Sequence, residues 1–185
     1  MAMPDFQHSD DCCANTDILQ MLKRKKEPVR VLFVCLGNIC RSPAAEEIFR
    51  RIIESRGLAG RFEIDSAGLY AGHAGELPDR RMRLHAFQRG YNLTHHSRPV
   101  RERDFEDFDL ILSMDDSNYS RLRAFAPTLE AEAKIRRTTD FCRHHPGIDH
   151  VPDPYYDGAE GFERVLDILE DACAGLADSL TPDAE

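Results

Sequence analysis

The 185-residue chain has no run of about 18 apolar residues, the length a helix needs to cross a bilayer, so no membrane span is expected. Its first 28 residues mix His8, Asp10, Asp11, Cys12 and Cys13 with Lys23-Arg24-Lys25-Lys26 and lack the apolar stretch of a secretion signal. They read as a mobile extension with one short helical turn, and a cytoplasmic location is expected. Positive charge is in deficit: 24 Lys and Arg against 33 Asp and Glu leave a net charge of −9, which argues against general nucleic-acid binding. Any positive potential that attracts an anion must then be local. No glycine is followed by Lys and Ser or Thr in the manner of a Walker-type nucleotide loop. Six cysteines in a reducing compartment do not make a disulfide framework. There is no internal repeat, and a length of 185 residues with 42% apolar content suits one domain with a sizeable core.

What is present is concentrated in eight residues, Cys35-Leu36-Gly37-Asn38-Ile39-Cys40-Arg41-Ser42. The preceding Val29-Arg30-Val31-Leu32-Phe33-Val34 is β-branched and apolar enough for a buried strand. After the loop, Ser42-Pro43 offers an N-cap and a first-turn proline, and Ala45, Ile48, Phe49, Ile52 and Ile53 recur at helical spacing. Strand, short loop and helix N-terminus form a cup whose backbone N–H groups converge on an anion. A cysteine attacks as thiolate, and its usual pKa of about 8.5 falls beside a helix N-terminus and an arginine. Cys35 has both, Arg41 supplies a planar fork that matches two phosphate oxygens, and Ser42 can donate a hydrogen bond to the sulfur. Gly37 allows a tight turn, and Asn38 tolerates a left-handed conformation.

These residues match in full the signature C-x-G-N-x-C-R-S, and the chain resembles the low-molecular-weight protein tyrosine phosphatases over roughly residues 29 to 180. A second signature of that family appears as Asp153-Pro154-Tyr155-Tyr156. The resemblance implies that Cys35 is the nucleophile, Arg41 the phosphate clamp and Asp153 the general acid, with Leu36, Gly37, Asn38, Ile39, Cys40 and Ser42 completing the phosphate loop. Leu36, Tyr155 and Tyr156 would wall the substrate ring. Where family members often carry a tryptophan before the motif matched by His73-Ala74-Gly75, this chain has Gly72 and no tryptophan anywhere, so a wider mouth is expected, with Tyr70 as a substitute wall. Ser66 and His95 would pin Asn38, and Asp115 would cap the following helix and support the site from behind. Cys40 has two readings, a trap for an oxidised nucleophile or a small buried apolar residue.

Further strands are expected at residues 61–64, 109–113 and 133–135, and helices at about 78–89, 117–125 and 159–180. Alternating strands and helices imply a three-layer α/β/α architecture, with a central four-stranded parallel sheet and the ligand at the carboxyl ends of its strands. Residues 1–28 form an extension, 29–180 the domain and 181–185 a tail. Expected partners are phosphotyrosine-containing proteins or peptides and phosphate as product, with a monomer or weak dimer as the assembly and no cofactor. Cys142-Arg143-His144-His145 with His150 lacks a closed ligand set, so no metal is expected. The alternatives are phosphoarginine hydrolysis and arsenate reduction. The latter needs a relay of further cysteines, and Cys142 and Cys173 are too far apart in sequence to suggest one.

Overall fold

The computed structural model describes residues 11–181, and the expected mobility of residues 1–10 and the tail at 182–185 lie outside them. Seven helices are present among the described residues: α1 (Asp11–Arg24), α2 (Arg41–Ser55), α3 (Arg80–Gln88), α4 (Asp104–Asp107), α5 (Asp116–Phe125), α6 (Leu129–Glu132) and α7 (Ala159–Leu180). Four strands, β1 (Val29–Cys35), β2 (Phe62–Gly68), β3 (Leu110–Ser113) and β4 (Ile135–Arg137), pair in parallel in the order β2-β1-β3-β4.

β1 is central, and its side chains alternate between two apolar layers. Val31 and Phe33 join the larger cluster with Ile48, Phe49 and Leu169, while Leu32 and Val34 join Ile111, Leu122 and Ile135 on the other face. Both faces of the strand are therefore buried, which is why Val29–Cys35 reads as a near-continuous hydrophobic run. α2 and α7 cover one face and α5 the other. The register aligns Cys35 with Gly68 and Val34 with Ser113, so three strands end beside the Cys35 loop.

Two local expectations are corrected. The single turn expected near the N-terminus is a 14-residue helix, because Ile18, Leu19 and Leu22 form an apolar stripe packed on the main core, and α1 lies against α7. Ser42 is not the N-cap of α2: Cys40 holds that position without a side-chain cap, and Ser42 sits in the first turn with its hydroxyl turned to Cys35.

Candidate active site

The loop that leaves β1 wraps around the Cys35 sulfur. The backbone N–H of Asn38 donates to Sγ at 3.2 Å, and Ser42 Oγ lies 3.1 Å from it. Ser42 Oγ also accepts from Asn38 Nδ2 at 2.9 Å, which leaves its own proton for the sulfur or the Ala67 carbonyl at 3.3 Å. The carbonyls of Cys35, Leu36, Gly37 and Ile39 are bonded to Leu69 N–H, Tyr70 N–H, Ser97 Oγ and Asp79 N–H. A loop whose carbonyls are satisfied from outside turns its N–H groups inward, and that is the geometry of an anion-binding nest. Asn38 has a φ of 55°, unique to it among the described non-glycine residues. The left-handed conformation thus falls at Asn38, the residue expected to tolerate it. Gly37 instead admits the His73 ring, which a Cβ would meet at 3.3 Å.

Asn38 is held at every polar atom. Nδ2 donates to Ser66 Oγ at 2.9 Å, and Oδ1 accepts from Arg98 N–H at 2.9 Å and faces His95 Nε2 at 3.0 Å. Behind these residues lies Glu46, which no motif singled out. It is 8% exposed, accepts from Ser66 Oγ at 2.7 Å and Arg50 at 2.6 Å, and lies 3.1 Å from His95 Nδ1. Burial pushes its carboxyl up, but the hydrogen bond and charge of His95, then Ser66 and Arg50, outweigh burial and hold it below its ordinary value. The His95 ring thus lies between two acceptors, a Glu46 oxygen at Nδ1 and Asn38 Oδ1 at Nε2. The signal for Glu46 was its place one helical turn after Ser42 on a face otherwise made of Ala45, Ile48 and Phe49. Glu46, Asp65 and His95 also bring three metal-ligating groups together, but Ser66, Arg50 and Arg98 already engage the two carboxylates.

Arg41 is 2% exposed, and its guanidinium is divided between two carboxylates. One nitrogen donates to Asp115 at 2.6 Å and to the Val151 carbonyl at 3.1 Å; the other donates to Asp153 at 3.0 Å. Burial opposes its charge, but Cys35, Asp153 and Asp115 together keep its pKa above the ordinary value. Asp115 thus does more than cap α5, where it accepts from Asn118 N–H at 2.7 Å. Burial first, and then Asp79 and Cys35, push the Cys40 thiol far up. Cys40 stays a neutral thiol next to the nucleophile candidate.

A cleft of about 260 Å³ opens above Cys35, lined by Leu36, Ile39, Cys40, Arg41, Tyr70, His73, Asp153, Tyr155 and Tyr156. It falls a little short of the ~300 Å³ at which drug-sized ligand sites begin, a scale suited to a small aryl group. Tyr155 and Tyr156 pack edge to face, 5.0 Å between centroids, and Arg81 lies over Tyr155. The gap expected at Gly72 is occupied: a Cβ there would lie 2.2 Å from the Tyr70 ring, which also packs edge to face on His73. Gly72 is the space that Tyr70 takes, so the rim keeps an aromatic wall without tryptophan.

The downstream histidines serve the loop that delivers Asp153. His144 and His145 present Nδ1 to Asp171 at 2.9 Å each, and Asp171 also accepts three successive backbone N–H groups from Arg143 to His145. Gly175 lets the Phe141 carbonyl rest on α7, where a Cβ would sit 2.0 Å from that oxygen.

The family model described as low molecular weight phosphotyrosine protein phosphatase matches residues 30–185. A putative low molecular weight protein-tyrosine-phosphatase of Synechocystis is 46% identical over 82% of this chain and 96% of its own length. The Bacillus subtilis low molecular weight protein-tyrosine-phosphatase YfkJ is 39% identical over the same shares. Among solved structures, a protein tyrosine phosphatase from Entamoeba histolytica superposes with a TM-score of 0.80 at 46% identity, covering 82% of this chain and 96% of its own. A Drosophila arginine phosphatase superposes at 0.77 and 32% identity, covering 83% of this chain and 99% of its own.

Proposed function

The chain belongs to the low molecular weight phosphotyrosine protein phosphatase family and its reaction is the hydrolysis of phosphotyrosine; from that premise we propose that Cys35, Arg41 and Asp153 carry the chemistry. The observation behind this assignment is the convergence, at one cleft, of a sulfur facing two hydrogen-bond donors with a buried guanidinium and a carboxylate 3.0 Å apart.

The Cys35 thiolate attacks phosphorus in line, forming an S–P bond as the bond from phosphorus to the phenolic oxygen breaks. The inward N–H groups and Arg41 hold the equatorial oxygens, where charge is spread in the transition state. Asp153, protonated, gives its proton to the leaving oxygen; its carboxylate then takes a proton from the water that attacks phosphorus, the S–P bond breaks, and phosphate is released. Asp115 and the Val151 carbonyl fix the guanidinium plane, and the chain Glu46–Ser66–Asn38–Ser42 fixes the direction of the hydrogen bonds that reach the sulfur. Leu36, Tyr70, Tyr155 and Tyr156 wall the phenyl ring. The reading includes a reducing, cytoplasmic setting, in keeping with the free Cys35, Cys40, Cys142 and Cys173, and a protein that works as a monomer or weak dimer.

The test is a rapid-quench turnover of a phosphorus-labelled phosphotyrosine peptide. Label is expected on Cys35 in the wild type, none in Cys35→Ser, and a longer-lived adduct in Asp153→Ala; wild-type turnover without label on sulfur would refute the assignment. Phosphoarginine is a second substrate to set beside phosphotyrosine in the same assay, on the strength of the similarity to the Drosophila arginine phosphatase.

A further inference from the structure

Next to the cleft, α3 turns an unusual face outward. Arg80, Leu84 and Phe87 follow one another at helical spacing, with Arg83 one turn before Phe87. Leu84 is 56% and Phe87 69% exposed. Arg81 and Arg89 on the same helix are paired, with Asp79 and with Glu163, Asp167 and Glu170, whereas the guanidinium groups of Arg80 and Arg83 have no acidic partner among the described residues. A chain of net charge −9 thus leaves two unneutralised cations beside two bare apolar side chains.

The N-terminal end of α3, where the strip begins, is tied to residues that line the cleft. Asp79, the N-cap of α3, donates its N–H to the Ile39 carbonyl of the phosphate loop at 2.7 Å, and Arg81 donates to the Tyr155 carbonyl at 3.0 Å. From Arg80 to Phe87 the helix rises about 10 Å, the reach of about three residues of extended peptide. A substrate whose phosphotyrosine enters the cleft would lay its neighbouring residues within range of this face.

We infer that the Arg80–Leu84–Phe87 face of α3 is a docking strip for the polypeptide that flanks the phosphotyrosine, and that it selects flanks combining acidic with apolar residues. The inference rests on the phosphatase reading and adds a substrate class to it. Carboxylates of the flank pair with Arg80 and Arg83, and apolar side chains cover Leu84 and Phe87. Exposed ion pairs of this kind are individually weak and are screened by salt, so the selection acts mainly through KM and fades as ionic strength rises.

The experiment compares wild type, Arg80→Glu/Arg83→Glu and Leu84→Ala/Phe87→Ala on three substrates: para-nitrophenyl phosphate, a phosphotyrosine peptide with Asp, Glu and Leu around the tyrosine, and the same peptide with Lys in place of the acids. Wild type should prefer the acidic peptide by about tenfold in kcat/KM, in keeping with two weak ion pairs that the Lys peptide replaces by like-charge contacts. Charge reversal should invert that preference while para-nitrophenyl phosphate, which has no flank, is hydrolysed as before. The Leu84→Ala/Phe87→Ala variant should raise KM for both peptides with kcat unchanged. An unchanged preference after charge reversal overturns the strip, as does a parallel fall on para-nitrophenyl phosphate or a shift in sedimentation that marks the face as a contact between two copies. Failure of the wild type to hydrolyse any of the three would instead sink the phosphatase reading and the strip with it.

Discussion

Replacing Glu46 by Gln tests whether the phosphate loop is held from behind, one layer below the chemistry. Glu46 presents two oxygens to three donors, Ser66 Oγ at 2.7 Å, Arg50 at 2.6 Å and His95 Nδ1 at 3.1 Å, and is 8% exposed. Glutamine keeps the shape but turns one acceptor into a donor, so at least one partner is left facing an N–H. A buried donor without an acceptor costs about 1–3 kcal/mol, and hydrogen bonds to a charged group contribute about 1.5–3 kcal/mol. A loss of about 2–3 kcal/mol should lower Tm by about 4–12 °C in a domain of this size. The folded carboxyl lies below its ordinary value of 4.5, so its stabilisation is fully present above 4.5 and is lost as pH falls through the lower folded value. Denaturation of wild type and variant at a series of pH values should therefore show a gap that is constant above about pH 5 and narrows below 4.5. Activity should fall as well, by up to about 10²-fold in kcat/KM, because Asn38 is freed to leave its φ of 55°. A pH-independent gap, or a variant as stable and active as wild type, would refute the argument.

Arg41→Lys should cost about 10²–10³ in kcat, because an ammonium cannot hold two phosphate oxygens while keeping Asp115 and the Val151 carbonyl; steady-state kinetics on an aryl phosphate reads this directly. Gly175→Ala should drive a methyl group into the Phe141 carbonyl and destabilise the protein by about 1–3 kcal/mol, seen as a lower denaturation midpoint. Gly72→Ala should expel the Tyr70 ring from its place over residue 72, raising KM for aryl phosphates while leaving phosphate inhibition nearly unchanged.

The sequence was most legible where local chemistry and periodicity agree. The buried strand read at residues 29–34 runs one residue further, to Cys35, and the helix read at Ala159–Leu180 stands to the residue. The site residues spaced far along the chain were legible only through the family resemblance: Asp153 lies in its second signature, and Ser66 and His95 were expected at Asn38, where their hydrogen bonds lie. Three features were hidden for identifiable reasons. Glu46 belongs to no motif, and its place on the apolar face of α2 does not by itself name Ser66 and His95 as its partners. The length of α1 depends on the tertiary contacts of Ile18, Leu19 and Leu22, which three apolar residues in a polar segment do not announce. The filling of Gly72 by Tyr70 is a matter of side-chain direction two residues away.

The ion pair between Arg41 and Asp153 sets the proposed acid against phosphate for one guanidinium. The same nitrogen that the proposal turns to a phosphoryl oxygen donates to the Asp153 carboxylate at 3.0 Å. A phosphate dianion would compete with the Asp153 carboxylate for the same guanidinium nitrogen. Asp153 is 45% exposed on its side chain, so the pair is solvent-screened and is worth no more than about 1 kcal/mol. Asp153→Asn should then slow turnover, most for poor leaving groups, yet bind inorganic phosphate up to about fivefold more tightly, because a competitor for Arg41 has been removed. Calorimetric titration of phosphate into both proteins at pH 7 measures this without turnover. Equal or weaker binding by the variant would mean that Asp153 does not compete for the guanidinium, and the argument from their ion pair would have to be abandoned.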